Sequence, residues 1–275
     1  MKRLFEQALG PEWNITSAGG LTGDAYIAEK EDKRLFLKRN SSPFLAVLSA
    51  ERLVPKLVWT KRMENGDVIT AQEWLDGRKL EPEEMQQIGV AELLKKIHES
   101  SELLHMLMRL GIQPVPTNDQ FDMLCMDVSA SAFMQVHEEV KLGLRWLEAL
   151  LYATENQPQV VCHCDLNHNN LMITEEGTVY LVDWDNATIA DPAIDFGTVL
   201  MRYIPREDWT RWLAAYGEIK DEQLMKRMYW YLIAETMHYI QWHYDRNETS
   251  HVQERLEDLA HLNIEVRKLL QVSEL

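Results

Sequence analysis

Residues 160–197 read VVCHCDLNHNNLMITEEGTVYLVDWDNATIADPAIDFG, and the alternation of apolar and polar runs in this stretch decides what the chain can be. Val160, Val161 and Cys162 form a short apolar run suited to a buried strand. It breaks into the polar HCDLNHNN, so the chain leaves the core there. Leu171, Met172 and Ile173 resume an apolar run, and Glu175, Glu176 and Gly177 read as a turn, with glycine able to take positive φ. Residues 178–182, rich in β-branched and aromatic side chains, then run back as a second strand. Such a hairpin sets Asn170, where it starts, beside Asp183, where it ends. Asp165 lies five residues before Asn170 on the same loop, so three oxygen-bearing side chains converge. Carboxylate and amide oxygens suit Mg²⁺, a hard ion that completes its shell with phosphate and water. Asp165 is then left to face an incoming hydroxyl.

The pattern H-x-D-x-x-x-x-N (His163, Asp165, Asn170), followed after a hairpin by Asp183, resembles the catalytic loop and metal-binding aspartate of the eukaryotic-type kinase fold. Cys164 stands where an Arg is usual, and Asn167 where protein Ser/Thr kinases carry a Lys. The metal-binding element reads Asp183-Trp184-Asp185 and not D-F-G. The D-P-A-x-D-F-G run from Asp191 to Gly197 looks like the aminoglycoside phosphotransferase and choline kinase branch of the protein kinase-like superfamily. That resemblance implies an α+β, two-lobed protein kinase-like fold with a small antiparallel-sheet N-lobe and a larger helical C-lobe. Residues 1–75 would form the nucleotide-binding lobe and end in a hinge; residues 76–275 would carry the catalytic loop and substrate site. It further implies that Asp165 acts with His163 in catalysis, that Asn170 and Asp183 hold the metal with Asp185 as an additional contact, and that Asp191 and Asp195 brace the loop. Cys162, His163, Cys164 and His168 also admit a zinc reading, but no second Cys pair exists to close such a site.

Upstream, residues 15–20 and 25–29 read as strands flanking a glycine turn. Gly19, Gly20, Thr22 and Gly23 there let backbone N–H groups approach phosphate oxygens without a Cβ in the way. The spacing departs from G-x-G-x-x-G and resembles the shorter loop of the same family. Lys38 ends the next apolar strand; the resemblance makes it the lysine that pairs with the α- and β-phosphates, and carries Glu51 over as its acidic partner. Residues 54–58 and 68–71 read as two strands joined by the turn Glu64-Asn65-Gly66-Asp67. Glu73, Trp74 and Leu75, followed by Gly77 where the chain turns, have the form of the family's inter-lobe hinge, whose backbone groups bind adenine.

Met85, Ile88, Ala91, Leu94 and Ile97 recur on one helical face, and His98 at the end of that helix reads as structural. Residues 110–122, with Gly111, Pro114, Pro116, Asn118 and Asp119, read as loop. Residues 133–151 read as one long amphipathic helix, and nothing in 100–155 carries evident chemistry. If 222–245 is one helix, Trp230, Ile233, Met237, Ile240 and Tyr244 form an apolar stripe for the core. Tyr231, Glu235, His238 and Trp242 form a second stripe of aromatic and acidic groups, the combination an ammonium group seeks. In the choline kinase branch, C-terminal helices supply such a wall.

The 275 residues are 46% apolar, ample for a packed core, and carry a net charge of −16. That balance argues against a nucleic-acid partner, because no basic stripe stands out to neutralise phosphates, and it is compatible with a cationic substrate. The sequence shows neither an apolar run of membrane-spanning length nor an apolar signal region. Three cysteines, an odd number, point to a reducing cytosol. The expectation is an ATP- and Mg²⁺-dependent phosphotransferase acting on a hydroxyl of a small molecule: an amino alcohol such as choline or ethanolamine, an aminoglycoside or a sugar-like acceptor. Two rivals are an atypical protein kinase and a nucleotide-binding regulator without turnover. Asn167 in place of Lys and a short 183–195 segment without A-P-E count against the first. The presence of Asp165, Asn170 and Asp183 together counts against the second.

Overall fold

The computed structural model describes residues 2–19 and 24–271. The chain opens with α1 (Lys2–Leu9), then β1 (Asn14–Gly19), β2 (Ala25–Lys30), β3 (Lys33–Arg39), α2 (Phe44–Ala50), β4 (Leu57–Arg62) and β5 (Val68–Glu73). These strands form an antiparallel sheet in the order β1-β2-β3-β5-β4. Alternation sends Leu37, Ile69 and Ala71 to the same apolar cluster as Ile15 and Ala28. Helix α1, for which the strand-like alternation gave no signal, covers that cluster with the fully buried Phe5, whose ring lies 4.5 Å from that of Tyr26. Strand β4 begins at Leu57 and not at Val54. Pro55 has no N–H to give a ladder, and Leu53 and Val54 are buried as core residues.

The chain continues through β6 (Gly77–Lys79), α3 (Ile88–His98), α4 (Ser101–Arg109), α5 (Thr117–Ala130), α6 (Ala132–Val136) and α7 (Glu138–Leu150). Then come β7 (Val160–Cys162), β8 (Leu171–Thr174), β9 (Val179–Leu181), β10 (Thr188–Ala190), α8 (Ala193–Tyr203), α9 (Trp209–Tyr216), α10 (Glu222–Asp245) and α11 (Thr249–Leu269). Three expectations are corrected. Residues 117–122 are helical: Pro116, with φ −54°, caps α5, and Asp119 falls in the first turn, where the helix dipole favours an acid. The helix expected over 133–151 is two, because His137 turns extended between α6 and α7. The stretch from Met85 is likewise broken, with extended backbone at Gln87 before α3.

The chain divides into two compact units, neither continuous in sequence. One comprises residues up to Glu84 with Ser101–Leu110 and Asn167–Asp185. It holds the five-stranded sheet and a second sheet in the order β6-β8-β9. The hairpin β8–β9 is fastened in this unit by Leu181 N–H donating to Leu53 O (3.0 Å) and by Leu80 N–H donating to Leu171 O (3.0 Å). The other unit comprises Met85–Ser100, Gly111–Leu166 and the chain from Asn186 onward. Its core gathers Trp146, Phe196, Trp209, Trp212 and Trp230, all at most 3% exposed. The indole of Trp230 donates to Leu147 O (3.0 Å), tying α10 to α7. Among the described residues no helix is long and apolar enough to cross a membrane.

Gly77 owes its identity to space, not to a turn. A Cβ there would lie 2.5 Å from the carbonyl oxygen of Ile173, in the strand that leads out of residue 170. Backbone cannot yield as a flexible side chain can, so Gly77→Ala should cost about 1–3 kcal/mol by overpacking. A urea unfolding midpoint equal to that of the native chain would contradict this.

Candidate active site

In the first unit, β8 and β9 bring the two expected metal-side residues together. Val182 N–H donates to Asn170 O at 2.8 Å, so the backbone closes the open end of the hairpin with Asn170 on one side and Asp183 next along the other. Asn167 contributes a detail that sequence reasoning missed. Its side-chain oxygen accepts the N–H of Asn169 (3.0 Å) and its carbonyl accepts the N–H of Asn170 (3.0 Å), which curls residues 168–170 into a single 3₁₀ turn. An Asn at this position is a turn cap, the one sign available beforehand. Asp183 has φ +66°, a left-handed conformation that Asp tolerates better than most residues. Trp184 fixes the following turn: its indole N–H donates to Leu181 O (2.7 Å), and its ring meets Phe44 of α2 edge-on.

Lys38, on the central strand β3, faces Thr70 across the ladder. Its ammonium lies 2.9 Å from Asp185 Oδ2 and 3.0 Å from Oδ1. The carboxylate of Asp185 thus reaches Lys38; Glu51, the expected acidic partner, stands at the C-cap of α2. The lysine and aspartate side chains are 29% and 67% exposed, so solvent screening limits the pair to under about 1 kcal/mol. An arriving anion can take over that ammonium at little cost. Gly19 ends β1 with φ +83° and, among the described residues, no atom within 4 Å of the position a Cβ would occupy; Gly20, Thr22 and Gly23 lie outside the described residues. At the end of β5, Glu73 N–H donates to Lys56 O (2.8 Å) and Trp74 N–H to Arg34 O (3.3 Å). The Arg34 guanidinium covers the Trp74 ring at 4.3 Å, and Leu75 follows, half-buried.

In the second unit, strand β7 ends at Cys162 and the loop begins in an unusual conformation, with Cys164 at φ +60°. The carboxylate of Asp195, 1% exposed, holds this point. Its Oδ2 accepts His163 N–H (2.7 Å) and its Oδ1 accepts Cys164 N–H (2.9 Å). His98 Nε2 lies 3.1 Å from the same Oδ2, which gives the structural role expected of His98 a definite form. Burial pushes the Asp195 carboxyl up, but the His98 hydrogen bond, the nearby imidazoles and the His163 N–H outweigh it, and the group is held below its ordinary value. Asp191, also buried, accepts the N–H of Ala193 (2.8 Å) and pairs with Arg227 (3.1 Å). There burial wins over the arginine, and the carboxyl is pushed up.

The stripe expected on α10 divides. His238 and Trp242 line a cavity of about 350 Å³ together with Asp127 and Met134 from α5 and α6 and Gln241 and Asp245 from α10. Tyr231 is buried with its ring edge-on to Trp230 (5.0 Å). Glu235 lies 3.9 Å from Arg202. Its carboxyl is pushed up by burial first, and by the carboxylates of Asp195 and Asp165 against the pull of Arg202 and Arg255. Asp127 falls in the stretch read as carrying no chemistry; its acidity was legible, its place on a cavity wall was not. The Arg246 guanidinium lies over the Trp242 ring, 3.6 Å from its centre.

Residues 16–231 match the model of the phosphotransferase enzyme family. Among solved structures, the chain resembles the choline kinase LicA from Streptococcus pneumoniae at 16% identity, covering 96% of this chain and 99% of that one, with a TM-score of 0.69. It resembles a choline/ethanolamine kinase family protein from Mesorhizobium loti at 18% identity, with 95% and 93% covered and a TM-score of 0.68. It also resembles APH(2")-IIia, solved as a complex with GDP and kanamycin, at 14% identity, with 96% and 98% covered and a TM-score of 0.71. At these identities the likeness is one of fold: an α+β, kinase-like chain with an antiparallel-sheet N-terminal part and a helical C-terminal part.

The grip of Asp195 has a pH signature. A carboxyl held low in the fold adds stability that is present above its unfolded pKa of about 3.9 and is lost as pH falls through the folded value. Asp195→Asn should therefore cost at least about 2 kcal/mol at pH 7, since hydrogen bonds to a charged acceptor are weakened. Its deficit relative to the native chain should shrink below about pH 4. Urea unfolding of both proteins across pH 3–7 checks this; a constant deficit over that range would contradict it.

Proposed function

The chain belongs to the phosphotransferase enzyme family, and from that premise we propose that it transfers the γ-phosphate of ATP to a hydroxyl of a small organic molecule. The observation that carries the reading is the closed hairpin, in which one backbone hydrogen bond from Val182 to Asn170 sets an amide and the carboxylate of Asp183 at adjoining positions. Hard oxygen donors of these two kinds fit Mg²⁺, and Asn170 and Asp183 would hold it. The ion would supply neutralisation of phosphate charge.

The remaining roles belong to the chain itself. Lys38 would exchange Asp185 for nucleotide phosphate oxygens, and Asp185, once released, would be an additional contact for the metal. The N–H groups of Glu73 and Trp74 already donate to backbone carbonyls, so the hinge donor for adenine falls to Leu75. Asp165 accepts the proton of the acceptor hydroxyl as the phosphoryl group arrives. Most of the rate comes from positioning and charge neutralisation, because the transferred group needs little covalent help. For the acceptor we assign the cavity between α5, α6 and α10. The carboxylates of Asp127 and Asp245 on its wall suit an organic cation, which would compete with the Arg246 guanidinium for the ring of Trp242, in keeping with the choline and kanamycin named for the similar structures. The unpaired cysteines support a cytoplasmic setting.

An ADP-release screen against amino alcohols, aminoglycosides and sugars tests this reading, with Asp165→Asn as the control. The native chain should release ADP with at least one small acceptor, and the control should be slower by about a hundredfold or more, as loss of a catalytic base requires. Equal rates in the two proteins would contradict the role of Asp165. Label from ATP appearing on a protein band, with none on any small molecule, would favour a protein acceptor instead.

A further inference from the structure

Tyr216 closes α9 and is 8% exposed. Its ring stacks on Trp212 (6.4 Å, 4°) and leans on Phe196 (5.2 Å), so packing on two sides fixes where the hydroxyl points. It points at His98: the phenol oxygen lies 2.7 Å from Nδ1. The other ring nitrogen, Nε2, is the one that meets Asp195. A chain of contacts thus runs from α9 through α3 to the backbone of the loop that starts at His163.

A neutral imidazole has one N–H and one lone pair, and the partner of each nitrogen decides which is which. Asp195, which already accepts two backbone N–H groups, is acceptor-only while ionised, so Nε2 must carry the hydrogen. Nδ1 is then a buried lone pair that needs a donor. We propose that Tyr216 is a positioning residue for the catalytic loop: its hydroxyl donates to His98 Nδ1, commits the ring proton to Nε2, and so keeps the third hydrogen bond on the carboxylate that grips His163 and Cys164. Burial pushes the Tyr216 phenol well up, so it keeps its proton at any working pH. Removing the hydroxyl leaves Nδ1 without its donor, and the ring relieves this by moving its proton or gaining a second one. Either change alters what Asp195 accepts and loosens the start of the loop.

The inference rests on the phosphotransfer reading only for its kinetic consequence; the state of the ring can be read without turnover. In full-length protein labelled with ¹⁵N-histidine, long-range ¹H–¹⁵N spectra at pH 8 report the tautomer of His98, assigned by its loss in His98→Gln. The expected result is a neutral Nε2–H ring in the native chain and a mixed or doubly protonated ring in Tyr216→Phe. An Nδ1–H or doubly protonated ring in the native chain, or an unchanged Nε2–H ring in the variant, overturns the proposal. With an acceptor in hand, Tyr216→Phe should lower kcat about tenfold while the KM for nucleotide stays within about twofold. In His98→Gln the amide nitrogen replaces Nε2 and has no tautomer to set. Adding Tyr216→Phe to it should then cost less than about twofold. Equal losses in the two backgrounds overturn the proposal. A native Nε2–H ring that mixes in the variant, in a protein that phosphorylates nothing, upholds the Tyr216 inference and counts against the phosphotransfer reading alone.

Discussion

The carboxylate of Asp195 accepts the N–H groups of His163 and Cys164, and the geometry of the functional segment starts from that grip. A loop leaving a buried strand has backbone donors that must be satisfied somewhere. Here two of them are satisfied by one buried charge, and the price is a Cys in the left-handed region at position 164. Such strain persists only where the surroundings over-determine it. Asp195 can serve because α8 begins two residues before it and His98 supports it from α3. The segment's far end is tied by a different means: Asn167 caps the turn through Asn170, and Asn170 is bonded to Val182. The start of this short polar loop is thus fastened through Asp195 and its far end through Asn167 and Val182, in each case by hydrogen bonds to main-chain atoms.

Electrostatics divides the acidic residues by task. Asp195 is buried and held ionised by donors, whereas Asp191 is buried, pushed up, and answered by Arg227. Asp185 is exposed and shares Lys38 in a pair weak enough to exchange. Glu235 is pushed up by burial, with Arg202 3.9 Å away, whereas Asp127 and Asp245 lie on the cavity wall, where Arg246 covers the ring of Trp242. The net charge of −16 is thus a poor guide by itself; what matters is which carboxylates have a cationic neighbour.

Much of the site was legible because its signals are local. The hairpin from Leu171 to Leu181 announces itself by strand composition and a glycine turn, and the five-residue step from Asp165 to Asn170 is a property of the chain alone. Residues whose role depends on distant partners were less visible. Asp185, whose carboxylate meets Lys38, is 147 positions away, in the turn that follows β9, and a contact between segments so far apart is not written in either one. Helix α5 was hidden by Pro116, Asn118 and Asp119, residues that oppose a helix interior but suit its first turn. The break at His137 leaves no mark in apolar periodicity, since Val136 continues the stripe of α7 in sequence although it is exposed and Met134 is the buried residue of α6. Asp127 became a candidate only when α5, α6 and α10 were seen to enclose a cavity.

The most direct measurement is calorimetric titration of ADP into the native chain, Asn170→Ala and Asp183→Asn, each with Mg²⁺ and with a chelator. If the closed hairpin is the nucleotide–metal cradle, Mg²⁺ strengthens ADP binding to the native chain by about tenfold or more, and either substitution abolishes that gain while leaving metal-free binding intact. The same Mg²⁺ dependence in all three proteins would contradict the account.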